Sequence, residues 1–129
     1  MEYYFTTILQ NKTIDEAIQL TKEELEKEGF GVLTEIDIKA TLKKKLDVDF
    51  QEYRILGACN PQFAYKALQA ENKIGIMLPC NVILQEKEAG IIEVSAVDPI
   101  ASMSSVGNPE LGAVAIEVTE KLKRVIERL

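Results

Sequence analysis

The sequence predicts an α+β fold: a two-layer sandwich in which helices pack on one face of a mostly antiparallel sheet. Three observations lead there. Strand-like and helix-like segments alternate along the chain, in the order roughly β-α-β-α-β-α-β-β-α. Two adjacent strand-like segments are joined by a tight turn carrying glycine, so the sheet is mixed or antiparallel. No Gly/Ser/Pro-rich stretch divides the 129 residues, so residues 1–129 read as a single domain.

The elements follow in order. "YYFTTIL" is aromatic and β-branched and reads as the first strand. Thr13 and Glu16 have the spacing of a capping box. Behind it, Ile14, Ala17, Ile18, Thr21 and Leu25 recur at helical spacing until Gly29 ends the helix. "FGVLTEIDI" is a second strand. Ile38, Leu42 and Leu46 share one stripe, which predicts a short amphipathic helix from about Lys39 to Leu46, with Asp37 as its N-cap. The third strand is "EYRILGA". Asn60-Pro61 opens another helix, with Asn60 as N-cap and Pro61 at the first helical position; its apolar face is Phe63, Ala64, Ala67 and Leu68. "CNVILQEKE" and "GIIEVSAV" form a hairpin around Glu88-Ala89-Gly90. Asp98-Pro99 leads a short segment to Val106. Asn108-Pro109 starts the last helix, whose stripe is Leu111, Val114, Val118, Leu122, Val125 and Leu129. Glu110 comes early in it, and Lys121, Lys123, Arg124 and Arg128 come late, as the helix dipole favours.

Composition narrows the function. The net charge of −6 argues against nucleic acid, where basic patches supply most of the affinity. The one basic cluster, Lys43, Lys44 and Lys45, sits at the end of a short helix and complements its dipole. No apolar run approaches the roughly 18 residues of a membrane span. The N-terminal residues lack the pattern of a signal peptide, so the cytoplasm is the expected compartment and no membrane is expected as partner. There is no histidine, which excludes a Cys-His dyad, a Ser-His-Asp triad and a His-rich zinc site within one chain. No G-x-G-x-x-G or Walker pattern supports a nucleotide site.

The candidate residues centre on two cysteines, each followed by asparagine: Cys59-Asn60 and Cys80-Asn81. Cys59 stands just before a helix start, where free amides and the dipole lower a thiol's pKa. The plainer reading of both thiols is core packing, since free cysteine behaves as a small hydrophobe. Strand three ends at Cys59 and strand four begins near Cys80, and the thiols are expected at opposite ends of the sheet. A disulfide or a two-thiolate metal site is therefore not the default. Were they to meet, two thiolates without histidine would favour a linear soft ion such as Cu(I), and zinc would need ligands from a second chain. Helix starts at Asn60, Asp98 and Asn108, with "SSVGN" beside the last, are candidate anion sites, although ordinary capping explains them. Glu35 and Asp37 share a strand face, but Asp37 is more simply a cap.

"GFGVLTEIDIKATLKKKL", "YRILGACNP", "IGIMLPCNVIL" and "VGNPEL", in this order and spacing, resemble the family called domain of unknown function 302, over about Tyr4 to Leu129. The resemblance implies a TATA-box-binding-protein-like α+β core: one strand, one helix, four strands and a long final helix. The helices at Lys39 and Asn60 would be insertions. It implies a homodimer as the usual assembly, and places Cys59, Asn60, Cys80 and Asn81 among the signature positions, with Gly57 inside "ILGACNP". It supplies no reaction, cofactor or catalytic residue.

Three functions remain open on these grounds. The first is a binding or sensing module that presents Gly57, Cys59, Asn60, Cys80 and Asn81 to a small molecule, an anion, a soft metal or a redox signal. The second is a structural or protein-interaction domain. The third is a thiol-dependent enzyme or sulfur carrier with Cys59 as nucleophile, for which no general base is evident.

Overall fold

The computed structural model describes residues 2–129. Its five strands are β1 (Tyr4–Gln10), β2 (Gly31–Asp37), β3 (Glu52–Cys59), β4 (Cys80–Glu88) and β5 (Ile91–Val97). Its helices are α1 (Ile14–Lys27), α2 (Ile38–Leu46), α3 (Pro61–Ala70), α4 (Pro99–Met103) and α5 (Leu111–Arg128). The strands form one open sheet in the order β1-β5-β4-β3-β2, with every neighbouring pair antiparallel. The α+β two-layer sandwich expected from the sequence is the observed fold.

Local chemistry explains most boundaries. At the start of α1 both bonds of the capping box form: the Glu16 amide donates to Thr13 Oγ1 at 3.1 Å, and the Thr13 amide donates to Glu16 Oε1 at 3.0 Å. Asp37 Oδ1 accepts from the Ala40 amide at 2.9 Å, which starts α2 one residue before the expected Lys39. Gly90 takes φ of +80° in the hairpin turn, a conformation glycine adopts without penalty. Asp98 and Pro99 begin α4, with Asp98 Oδ1 accepting from the Ile100 amide at 3.0 Å. The last helix starts later than Pro109. Asn108 Oδ1 accepts from the Glu110 amide, but Asn108 Nδ2 donates to Ala70 O at 2.9 Å. This side chain holds a turn against the end of α3, and α5 begins at Leu111.

The core lies between one sheet face and two helices. Leu56 and Ala58 of β3, Val82 and Leu84 of β4, and Ile92, Val94 and Ala96 of β5 alternate inward. They meet Ile14, Ala17, Ile18 and Leu25 of α1, and Val118, Leu122, Val125 and Ile126 of α5. A smaller cluster joins Ala67 of α3, Ile74, Met103 of α4, and Leu111 and Ala115 of α5. The opposite sheet face carries no comparable layer, and Tyr4, Ile8 and Ile36 on it are exposed. Helix α2 buries no residue, and its main neighbour is β3.

Glu28, just past α1, is buried at 9% exposure and would be costly to bury alone. It is not alone. Arg124 donates to its Oε1 from Nη2 at 2.9 Å and from Nε at 3.1 Å, and Arg128 Nη1 donates to Oε2 at 2.6 Å. The Arg124 hydrogen bonds, chiefly, hold its carboxyl below the ordinary value. Three of the late α5 cations, read from the sequence as dipole complements, thus have a partner: Lys121 Nζ also lies 3.9 Å from Glu28 Oε1.

Candidate functional site

The two thiols meet. β3 and β4 are antiparallel neighbours, and Ala58 pairs with Cys80, Gly57 with Asn81. The expectation of opposite sheet ends is therefore overturned. In an antiparallel pair the last residue of one strand lies beside the first residue of the next. Residues 60–79, with α3 among them, leave the sheet and return to the end they left. Cys80 sits opposite Ala58 on the core face, and Cys59 closes β3 one residue further on.

Both cysteines border one pocket of about 280 Å³. It opens between the main core and the smaller cluster. The sheet contributes Ala58, Cys59, Cys80 and Leu33, with Pro79 before β4; α3 contributes Phe63, Ala64, Ala67 and Leu68; Met103, Val114 and Val118 close the far side. The α3 residues were legible from the sequence as an apolar helix face, and this pocket is what much of that face lines. Met103 was missed, because a lone methionine in a short segment carries no pattern. The Phe63 ring has the Lys66 and Lys121 ammonium groups 5.4 and 5.7 Å from its centroid.

The thiols differ. Cys80 is buried and its thiol is pushed up to about 11, first by burial and then by the charge of Cys59, so it stays protonated at neutral pH. Cys59 is partly exposed at the pocket wall.

Asn60 borders the pocket but does not cap α3 as expected. Its side chain makes no capping bond; Nδ2 donates to the Glu28 carbonyl at 3.1 Å. It ties the start of α3 to the end of α1 instead, 3.1 Å from where a side chain on Gly29 would begin. Pro61 does occupy the first helical position.

Gly57 and Asn81 are outside the pocket. Asn81 is exposed and borders a depression on the other sheet face with Tyr4, Tyr53 and Ile83. Gly57 is buried; a Cβ there would collide with Thr34 Oγ1 and come within 2.8 Å of Pro79 Cγ. Its absence lets Pro79, which follows a cis peptide bond, lie against β3 and form part of the pocket wall.

The other sequence candidates have structural partners. Glu35 and Asp37 flank Arg54, at 3.4 Å each. In "SSVGN", the Ser104 and Ser105 hydroxyls donate back to the Ala101 and Ser102 carbonyls, so neither is aimed at an anion. Among the described residues no group of three or more Cys, Asp and Glu side chains could hold a metal ion. Among the described residues no helix is long and apolar enough to cross a membrane.

Comparison with known proteins agrees with this architecture. The family model for "Domain of unknown function DUF302" matches residues 5–129. A crystal structure of an uncharacterized conserved protein DUF302 from Bacillus stearothermophilus superposes with a TM-score of 0.89 at 27% identity, covering 99% of this chain and 98% of that one. Among curated proteins nothing matches.

Proposed function

The chain belongs to the family domain of unknown function DUF302, and we propose that it is a binding module whose ligand enters the pocket beside Cys59 and Cys80. One observation carries this reading: the β3–β4 register brings two otherwise unrelated thiols into a single cavity whose wall is almost wholly apolar. Such a wall cannot replace the water around a hydrated anion or a hard cation, because dehydrating those groups without new hydrogen bonds costs several kcal/mol or more, on the order of the values for uncompensated burial. The ligand is therefore small and weakly hydrated: an apolar molecule or a soft ion. The anionic ligand considered from the sequence is the less favoured one. The module works in the cytoplasm, where free thiols stay reduced.

An environment-sensitive apolar dye tests this reading. It is expected to bind one per chain, to slow alkylation of Cys59, and to lose at least tenfold in affinity in Ala64→Trp, which fills the cavity. Equal binding by the filled variant would overturn the reading.

A homodimer is proposed as the assembly. The uncovered sheet face supports it, since an exposed apolar surface on a sheet invites a partner.

A further inference from the structure

We infer that the pocket binds a soft monovalent ion, Cu(I), between the sulfurs of Cys59, Cys80 and Met103. This rests on the reading of the pocket as the ligand site and names the ligand's class. Only five side chains in the whole sequence carry sulfur, and three of them line this one cavity. They arrive from three separate elements: Cys59 from the end of β3, Cys80 from the start of β4, Met103 from the end of α4.

The donor set selects the ion. Thiolates and thioethers are soft ligands that favour Cu(I), whereas magnesium and calcium need oxygens. The cavity offers no carboxylate, hydroxyl or imidazole; its one polar side chain is Asn60, whose Nδ2 is already bound to the Glu28 carbonyl. Zinc would want four donors, and these walls supply three. Cu(II) prefers nitrogen and oxygen in a tetragonal array, which is absent here. Two thiols and one thioether are the soft donors among the lining residues, so the inferred mode is low coordination by two thiolates with the thioether closing in from the opposite wall.

The charge balance is simple. The ion displaces the proton of each thiol that is still protonated, and those protons leave to solvent. Two thiolates and one Cu(I) leave a single net negative charge, and Lys66 and Lys121 flank the pocket wall at Phe63. No oxidant or reductant takes part, because copper enters and stays as Cu(I).

The test titrates reduced, metal-free full-length protein with Cu(I) under anaerobic conditions against a chromogenic Cu(I) chelator, and reads stoichiometry by native mass spectrometry. One ion per chain is expected, with the protein mass showing thiol protons lost on binding. Cys59→Ser and Cys80→Ser should each weaken binding by at least about 100-fold, at or above the roughly 10–100-fold that losing a group supporting a metal ligand costs, and Met103→Leu by about tenfold. Should Cys80→Ser fold poorly, Met103→Leu keeps the core volume and still reports on the third donor. The inference is overturned if the chelator retains all the copper, or if removing Cys80 leaves affinity unchanged, or if one ion bridges two chains. Dye binding with no copper binding would sink the ion and spare the pocket; loss of both would sink both.

Discussion

Gly57 shapes the pocket wall without lining it. Its neighbours, Thr34 Oγ1 and Pro79 Cγ, occupy the volume a side chain would need. Gly57→Ala is expected to destabilise the fold by about 1–3 kcal/mol, as overpacking of a filled core does, and to weaken dye binding as Pro79 is displaced. A denaturant midpoint equal to that of the unmutated protein would show that the wall yields freely. Cys80 makes a second prediction at this scale. Its folded thiol is held at about 11, against 9.0 for an unperturbed thiol. The stability that comes from keeping it neutral is complete below pH 9.0 and is lost as pH rises toward about 11, because the unfolded chain ionises first. At most about 3 kcal/mol is at stake, two units at roughly 1.4 kcal/mol each. Urea midpoints of the metal-free protein across that range should fall more steeply than those of Cys80→Ala. Parallel pH profiles would show that burial of this thiol has no such effect.

Between elements, the strongest polar link is the one from the end of α1 to the last turns of α5. Glu28 accepts from Arg124 and Arg128 while almost fully buried. Glu28→Gln should cost about 2 kcal/mol, the scale of a lost hydrogen bond to a charged partner. The sign of its pH dependence follows from the depressed carboxyl. The stabilisation is present above the ordinary value of 4.5 and disappears as pH falls through the folded value. The variant's acid-unfolding curve should therefore begin lower in stability and slope less; the same slope in both proteins would remove Glu28 from the account. This clamp was not legible in the sequence, because its partners lie 96 and 100 residues apart. Local devices were legible. Thr13 and Glu16 form both bonds of their box, Asp37 caps α2, and Gly90 turns the hairpin. In each case the deciding partners sit within four residues. Asn60 and Asn108 mark the limit: both precede proline as helix-starting residues do, yet tertiary acceptors on Glu28 and Ala70 claimed their side-chain nitrogens.

Over the whole molecule, strand order decides what local patterns cannot. The alternating segments specify a two-layer sandwich, but it is the β1-β5-β4-β3-β2 order that makes β3 and β4 antiparallel neighbours and so brings Cys59 beside Cys80. The same order leaves one sheet face without helices. On it Thr6 bonds Ser95 at 2.9 Å, and Gln51, Gln85 and Glu93 form a chain of side-chain hydrogen bonds at 2.9 and 3.1 Å. Those polar groups are already paired, so covering them leaves few orphans. Tyr4, Ile8 and Ile36 are exposed around them, and Tyr53 and Ile83 are half-buried. A second copy can bury this face with the same patch from both sides, as a two-fold interface requires. A stable pair needs about 800 Å² from each partner. Light scattering at tens of micromolar should give twice the 14.4 kDa chain mass. Ile83→Lys, which sets a like charge in the middle of both patches, should return it to one chain mass while the dye still enters the pocket on the opposite face. A single chain mass for the unmutated protein would refute the dimer, and a dimer that survives Ile83→Lys would move the interface to α5 or to the strand edges.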